Sequence, residues 1–293
     1  HFTYFVLFSS KEELIKICLY ITNVSSQQAG GALQTAVSTE KITITKPPLG
    51  SPVRHTYIFR VKRYDPEKRS YYWREYKVEL TNHETVLDGL LKIKWNQDST
   101  LSFRYSCRMG ICGSCGMIIN GTPRFACETK PYDLGNEVIT VEPLSNFEPI
   151  KDLAADFSDF FEKHRAVKPW LIRKDETEQF EKLETYYPQT EDQLSDYLEF
   201  AYCIKCGLCY SACPMVFLNR DYLGPQALAQ AYRWSTDNRD EGAVLRLKVV
   251  DSENGVWSCH YSGTCSKVCP KDVDPALAIN LLKNWLLMGR RRR

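Results

Sequence analysis

Cysteine is concentrated in three short stretches of this 293-residue chain. Of the 12 cysteines, only Cys18 stands apart, and the others fall into groups that begin at Cys107, Cys203 and Cys259. Disulfide frameworks belong to small secreted chains, whereas metal sites gather cysteines at short, fixed spacings. The sequence therefore predicts metal-binding loops in a reducing compartment, and the fold must place these loops around the groups that they hold.

Composition limits the class of protein and its partners. With 43% hydrophobic and 25% charged residues the chain can build cores, and its length predicts about two domains. Its 38 basic and 36 acidic residues give a net charge of +2, so no nucleic-acid partner is expected. Apolar stretches are far shorter than the roughly 18 residues that cross a bilayer, which predicts a soluble or peripheral protein.

The first part of the chain alternates between apolar and polar residues. From 55 to 64 and from 74 to 80, apolar residues such as Phe59 and Val78 alternate with charged ones, which predicts two half-buried strands in a hairpin. After Asn82, a candidate N-cap, apolar residues recur at helical spacing from Val86 to Leu91. A strand pair followed by a helix predicts a small α+β domain.

The pattern changes after a last predicted strand, which begins at Val138 and runs into a linker near residue 150. Beyond it, apolar residues recur at helical spacing near Phe160, Leu198, Leu228 and Ile279, with cysteine loops between these segments. We therefore predict an α+β fold class in three parts. Residues 1–50 are an extension of unassigned role, residues 51–148 the α+β domain, and residues 149–293 a helical domain.

The first cysteine group predicts a centre with two irons. Its spacing, C-x4-C-x2-C with a fourth cysteine after 11 more residues, is the plant-type arrangement for a [2Fe–2S] cluster. The candidate ligands are Cys107, Cys112, Cys115 and Cys127. Gly110, Gly113 and Gly116 are expected to take positive φ and to bring backbone N–H groups to the cluster sulfurs. A four-cysteine zinc site is the alternative, although zinc favours paired knuckles.

The second and third groups together predict two further clusters, with zinc knuckles as the alternative. Residues 203–214 follow the bacterial ferredoxin run C-x2-C-x2-C-x3-C-P, in which the fourth cysteine ligates the other cluster of a pair. Residues 259–270 repeat this register with Ser262 in place of one cysteine. Exchanging the fourth ligands leaves one set with three thiolates, which hold three irons. The sets are Cys203, Cys206, Cys209 and Cys269 for [4Fe–4S], and Cys213, Cys259 and Cys265 for [3Fe–4S].

Nothing in the sequence predicts a substrate site in this chain. It contains neither a G-x-G-x-x-G turn nor a phosphate-binding G-x-x-x-x-G-K-[ST] loop, and no nucleophile is paired with a base. Three redox centres without further chemistry predict a carrier of single electrons between partners that perform two-electron steps. A diffusible ferredoxin is disfavoured, because the net charge of +2 supplies no strongly acidic docking surface.

Several segments resemble one family closely. Residues 106–116 (SCRMGICGSCG), 223–227 (LGPQA), 232–234 (YRW) and 269–276 (CPKDVDPA) are similar to the iron–sulfur subunit of succinate dehydrogenase and fumarate reductase. The resemblance covers about residues 53–288 and implies a succinate:quinone oxidoreductase. It implies a plant-type ferredoxin domain of the β-grasp fold, followed by an all-α domain like a bacterial ferredoxin. Related subunits of other quinone-linked dehydrogenases rarely need the first cysteine group.

The resemblance also implies partners and cofactors. A flavoprotein subunit with covalent FAD would oxidise succinate or reduce fumarate, and a membrane anchor, with or without haem b, would help to hold a quinone. Electrons would run through [2Fe–2S], [4Fe–4S] and [3Fe–4S] in that order. The expected place is peripheral, on the cytoplasmic face of a bacterial or archaeal membrane. The matrix face of the mitochondrial inner membrane is the alternative, although residues 1–50 lack the arginines of a transit peptide.

Three residues beside the third group are implied at the quinone site. His260 matches a position where a histidine relays protons, and Lys283 matches a basic position close to the quinone; a surface histidine and a solvated lysine are the alternatives. Ubiquinone-using members carry a tryptophan where Leu218 stands here. This leucine, with residues 252–259, resembles fumarate reductases and favours menaquinone, whereas His260 favours ubiquinone. The direction of electron flow stays open.

Overall fold

The computed structural model describes residues 53–173 and 186–289. The chain divides into two units, residues 1–49 and 50–293, and the described residues belong to the second. Cys18, the predicted extension over residues 1–50 and the terminal arginines 290–293 lie outside the described residues. No helix in the described part of the chain is long and apolar enough to cross a membrane.

A five-stranded mixed sheet organises the first part of the chain. The two predicted strands form an antiparallel hairpin in which Phe59 is paired with Tyr76. The bounds are β1 Arg54–Asp65, β2 Ser70–Thr81, β3 Gly116–Ile119, β4 Thr122–Phe125 and β5 Val138–Glu142. The strand order is β2-β1-β5-β3-β4, with β5 parallel to β1. Because alternate side chains of β1 point inward, Phe59 and Val61 are fully buried, as their spacing predicts.

Helix α1 (Val86–Asn96) packs closely on this sheet. A Cβ at Gly89 would lie 2.4 Å from the ring of Phe59, so only glycine lets the helix approach this far. Thr85 caps the helix, since its hydroxyl accepts the Asp88 N–H while the Asp88 carboxylate accepts the Thr85 N–H. The predicted cap at Asn82 is wrong, because the helix begins only at Val86; the Asn82 N–H donates to the Val53 carbonyl beside the strand hairpin.

The expected linker near residue 150 is instead a second, small hairpin. Strands β6 (Glu148–Lys151) and β7 (Ala154–Asp156) pair with each other. Their connecting residue Asp152 is buried and accepts two hydrogen bonds from Arg63 of β1, at 2.8 and 3.0 Å. The hairpin is therefore attached to the first part of the chain, and the predicted boundary after residue 148 falls inside β6.

The rest of the described chain is helical, as predicted. The segment expected around Leu198 is two short helices, while the segments around Phe160, Leu228 and Ile279 are continuous helices. The helices are α2 Pro131–Leu134, in the first part, then α3 Ser158–Ala166, α4 Glu191–Ser195, α5 Leu198–Ala201, α6 Leu208–Ser211, α7 Pro214–Leu218, α8 Gly224–Thr236, α9 Ala243–Val250, α10 Thr264–Lys267 and α11 Pro275–Met288. Buried side chains of the sheet and of these helices belong to one continuous hydrophobic cluster.

Candidate functional site: three sets of cysteines

Backbone N–H groups surround the sulfurs of the first cysteine set. The loop between α1 and β3 directs three of them at the Cys107 sulfur and others at the sulfurs of Cys112 and Cys127. The donors are Met109 at 3.4 Å, Ile111 at 3.4 Å and Cys112 at 3.3 Å to Cys107, Gly110 at 3.3 Å to Cys127, and Ser114 at 3.5 Å to Cys112. Such donors stabilise thiolates and the sulfurs of a bound cluster.

Two of the three loop glycines adopt the predicted conformation. Gly110 has φ +68° and Gly113 has φ +75°, in the left-handed region that glycine enters without a steric penalty. The prediction for Gly116 is wrong, because this residue begins strand β3 and is not among the glycines with positive φ. A Cβ at Gly116 would lie 3.1 Å from Leu208, so close packing explains this glycine.

The first set has an exposed rim and a buried floor. Cys112 is exposed, and hydrogen bonds from Ser114 and from the loop backbone lower its pKa to about 6. Cys115 is buried, and the loss of solvation raises its pKa to about 12. A cluster held here would therefore meet solvent or a partner on one side only.

The second set lines one cavity. Its four cysteines, Cys203, Cys206, Cys209 and Cys269, are brought together there with Pro270. Gly207, at φ +80°, turns the chain between Cys206 and α6, which carries Cys209. Burial and the neighbouring thiolates raise the pKa of Cys206 to about 12 and that of Cys209 well above its ordinary value. Near pH 7 these two thiols therefore keep their protons until a metal ion binds the sulfur and displaces the proton.

The third set contains three cysteines that also influence one another. Burial, followed by the thiolates of Cys213 and Cys259, raises the pKa of Cys265 to about 11. Cys213 directly precedes α7, Cys259 ends a 3₁₀ turn over Val256–Ser258, and Cys265 lies in α10. Ser262, which stands where a fourth cysteine would complete the register, shares a hydrogen bond of 3.1 Å with the Thr264 hydroxyl.

The three sets form a chain of neighbours. A Cβ at Gly113, in the first loop, would lie 2.7 Å from the Cβ of Cys206, a member of the second set. Cys209 of the second set and Cys265 of the third are close enough for the charge of one to raise the pKa of the other. The second set is therefore a neighbour of both the first and the third.

The donor sets fit iron–sulfur clusters. Four, four and three cysteines converge in loops that offer N–H donors and left-handed turns, which is what four-thiolate and three-thiolate clusters require. In the described part of the chain no three His, Cys, Asp or Glu side chains are gathered closely enough to hold one single ion. In a cluster, by contrast, the thiolates are distributed over several irons, two on each iron of a [2Fe–2S] cluster and one on each iron of a [4Fe–4S] or [3Fe–4S] cluster.

Two polar side chains near the clusters carry no spacing signal in the sequence. The phenol of Tyr222, which is 1% exposed, lies beside the cysteines of the third set. Burial and the three thiolates of the third set raise its pKa, so the phenol keeps its proton. Gln226, which is 2% exposed, lies in the wall of the cavity of the second set. The only sequence signal for either residue is its place in or beside the segment 223–227.

The candidate quinone residues differ in their placement. Lys283 donates from Nζ to the Cys259 carbonyl at 2.9 Å and lies near the ring of Tyr261, with 5.2 Å from Nζ to the ring centroid. His260, directly after Cys259, is exposed. Leu218 ends α7, the helix that follows Cys213, and is 72% exposed. Lys283 and His260 thus both border Cys259. Leu218 lies beside neither of them in sequence, and the short helix α7 connects it to Cys213.

Comparisons with known proteins find two kinds of iron–sulfur domain in this chain. A 2Fe-2S iron-sulfur cluster binding domain matches residues 58–162, and a 4Fe-4S dicluster domain matches residues 199–273. The fumarate reductase iron-sulfur subunit of Mycobacterium tuberculosis is 48% identical over 77% of this chain and 91% of its own length. That of Haemophilus influenzae is 42% identical over 78% of this chain and 91% of its own length.

A plant relative and a solved structure extend the comparison. A mitochondrial, ubiquinone-linked succinate dehydrogenase iron-sulfur subunit of Oryza sativa is 39% identical over 80% of this chain and 83% of its own length. The Mycobacterium smegmatis Sdh1 complex in the apo form contains a chain with a TM-score of 0.70 and 26% identity, covering 79% of this chain and 95% of that one. The family resemblance of the sequence is thereby confirmed, and the chain belongs to the iron–sulfur subunits of succinate dehydrogenase and fumarate reductase, which are electron-transferring subunits of oxidoreductases.

Proposed function

We propose that this chain passes single electrons between a flavin and a quinone through three clusters held by the cysteine sets described above. The observation that carries the proposal is their spatial order: Gly113 of the first loop touches Cys206, and Cys209 lies beside Cys265. Each cluster, when bound, takes up and releases one electron at a time. The protein's part is to hold the cysteines close together, to direct N–H donors at their sulfurs and to bury the second set beside the other two.

The flavoprotein subunit is assigned to the exposed rim of the first set. Cys112 is exposed there, and its neighbours Met109 and Ile111 are 68% and 57% exposed. Large apolar side chains that point into water beside a redox centre are typical of a surface that a partner covers. A partner on this rim would bring its FAD next to the first cluster while the sheet shields the opposite side.

The membrane anchor is assigned to the surface around the third set. Apolar side chains are exposed at the ends of two helices there: Phe217 and Leu218 close α7, while Leu287 and Met288 close α11, and their exposure ranges from 55% to 72%. Such side chains at helix ends suit an apolar partner. We therefore propose a peripheral subunit on the cytoplasmic face of a bacterial or archaeal membrane, with the mitochondrial matrix face as the alternative.

The quinone is assigned to the border of Cys259. The ammonium of Lys283 is held by the Cys259 carbonyl and the Tyr261 ring, so a fixed positive charge stands where a quinone takes up electrons and becomes more basic. The neighbouring His260 imidazole offers a proton at this point. Leu218 offers no hydrogen-bond donor, and with the fumarate reductase relatives this favours menaquinone over ubiquinone.

The domain division follows the same assignment. We propose a plant-type ferredoxin domain of the β-grasp fold in the first part of the chain and a bacterial-ferredoxin-like helical domain in the second. The mixed sheet with α1 across it supports the first label, and the helices around the second and third sets support the other. The boundary is best drawn after β7, because Asp152 ties this hairpin to Arg63.

Isolation of the complex with its partners tests the cluster assignment. We expect about nine irons and ten sulfides per chain from the three cluster types. In electron paramagnetic resonance, Cys213→Ala should lose the three-iron signal and keep the [2Fe–2S] signal. Cys18→Ala is the matched control and should keep all signals. Zinc in place of iron, or loss of a cluster signal in Cys18→Ala, would contradict the assignment.

Turnover with quinone analogues tests the quinone assignment. We expect Lys283→Met to slow succinate-driven reduction of a menaquinone analogue, while electron transfer from succinate to a soluble dye that bypasses the quinone stays normal. Lys267→Met, at the end of α10, removes an exposed lysine from the same part of the chain and serves as the control. Equal rates for the two variants would refute the role of Lys283.

A further inference from the structure

We propose that Gln226 is a positioning residue for the second cluster: its side-chain amide donates an N–H to the Cys203 sulfur and raises the reduction potential of the [4Fe–4S] centre, while His164 fixes the amide in this orientation. The proposal rests on the assignment of Cys203 to that centre. Gln226 lies in the first turn of α8, is 2% exposed and faces the cavity lined by the four cysteines of the set. Cys203 lies in the wall of the same cavity as Gln226.

His164 holds the amide from the other side. The Gln226 Nε2 lies 3.1 Å from His164 Nδ1. Burial, together with the charges of Lys205 and Arg165, lowers the pKa of His164 to about 4, so the imidazole is neutral near pH 7. An amide nitrogen carries only donors, so Nδ1 must be the acceptor and the imidazole proton sits on Nε2.

The orientation of the amide follows from its two donors. One N–H of Nε2 is directed at His164, which leaves the second N–H for the Cys203 sulfur. The amide oxygen is buried and finds no hydrogen-bond partner among the described residues. Turning the amide over would place that oxygen against a thiolate and remove both donated bonds. The observed orientation therefore gives an acceptor to each of the two N–H groups and leaves only the amide oxygen without a donor among the described residues.

The consequence for the cluster is electrostatic. Reduction adds a negative charge that spreads onto the sulfurs, and an N–H donor stabilises this charge more in the reduced state than in the oxidised state. Removing one N–H donor should therefore lower the reduction potential of the [4Fe–4S] cluster. Because the second set is a neighbour of both the first and the third, this potential sets how readily the electron crosses the middle of the chain.

A matched pair of variants in the intact complex tests the proposal. Gln226→Met keeps the length of the side chain and removes the N–H. Gln230→Met, one turn later in α8, removes an equally buried amide that donates to the Phe200 carbonyl at 2.9 Å. In redox titrations followed by electron paramagnetic resonance, we expect Gln226→Met to lower the [4Fe–4S] potential alone. Gln230→Met should leave all three potentials unchanged.

Wild-type protein offers a readout that does not depend on a variant. With the glutamine side-chain amide labelled with ¹⁵N, pulsed resonance of the reduced [4Fe–4S] centre should show a ¹⁵N coupling through the N–H···S bond. No such coupling, an unshifted potential in Gln226→Met, or a shift of equal size in Gln230→Met would overturn the proposal. Absence of any [4Fe–4S] signal from the wild-type complex would instead overturn the cluster assignment on which it rests.

Discussion

Replacing Gly113 by alanine perturbs the closest contact between the first and second cysteine sets. At this residue φ is +75°, and an added Cβ would lie 2.7 Å from the Cβ and 3.0 Å from the Cα of Cys206. The Cα cannot move aside as the end of a long side chain would. Two costs therefore add: left-handed backbone costs a residue with a Cβ about 1–2 kcal/mol, and overpacking costs about 1–3 kcal/mol more.

Gly121→Ala separates these two costs. Gly121 has φ +77°, in the turn between β3 and β4, and the described part of the chain places no atom within 4 Å of an added Cβ there. This control carries the backbone cost alone. The difference between the two variants should thus equal the overpacking cost, about 1–3 kcal/mol, which corresponds to about 2–12 °C in melting temperature for a chain of this size.

Thermal unfolding of the cluster-loaded chain measures the difference. The loss of visible cluster absorbance and the loss of helical circular dichroism should both occur at a lower temperature in Gly113→Ala than in Gly121→Ala. Equal melting temperatures for the two variants would refute the close approach of the first loop to Cys206, and with it the order of the first two sets.

Three further predictions concern charge and the clusters. Arg63→Met takes the ion-pair partner away from buried Asp152 and leaves Asp98 with Arg74, and it should destabilise the chain by about 3–5 kcal/mol in thermal unfolding. Arg60→Met removes an exposed ion pair and should cost at most about 1 kcal/mol. Ser262→Cys should convert the three-iron resonance signal into a four-iron signal, and an unchanged signal would contradict the register of the third group. Tyr222→Phe removes a buried O–H beside the third set and should lower the potential of the third cluster alone in a redox titration, while equal shifts in all three would indicate a general structural effect.

The grouping of the cysteines could be predicted because ligation by iron–sulfur clusters is encoded at short range. A run such as 203–214 fixes a turn and a short helix, and the structure places Cys206 and Cys209 on these elements. The assignment of Cys269 to the second set and of Cys213 to the third joins cysteines that are far apart in sequence. It could nevertheless be predicted, because a pair of clusters shares fourth ligands by a known rule.

Other features could not be predicted because several local patterns compete. Asn82 and Thr85 are both good N-cap residues, and the choice depends on the carboxylate of Asp88, which completes the capping box. The hairpin of β6 and β7 contains Pro149 and has little alternation, so it resembles a linker in sequence. Its stability comes instead from the buried pairing of Asp152 with Arg63, a contact across 89 positions.

The two hydrogen-bond donors beside the clusters depend on a single turn. Tyr222 and Gln226 are four residues apart, and each lies beside a different cysteine set. The backbone between them is fixed from two sides: the Leu223 N–H donates to the Asn254 carbonyl at 2.9 Å, and a Cβ at Gly224 would lie 2.8 Å from the Tyr210 ring. Because one turn carries both side chains, we expect a substitution that displaces it, such as Gly224→Ala, to shift the potentials of the second and third clusters together in a redox titration, although no spacing rule in the sequence records the connection.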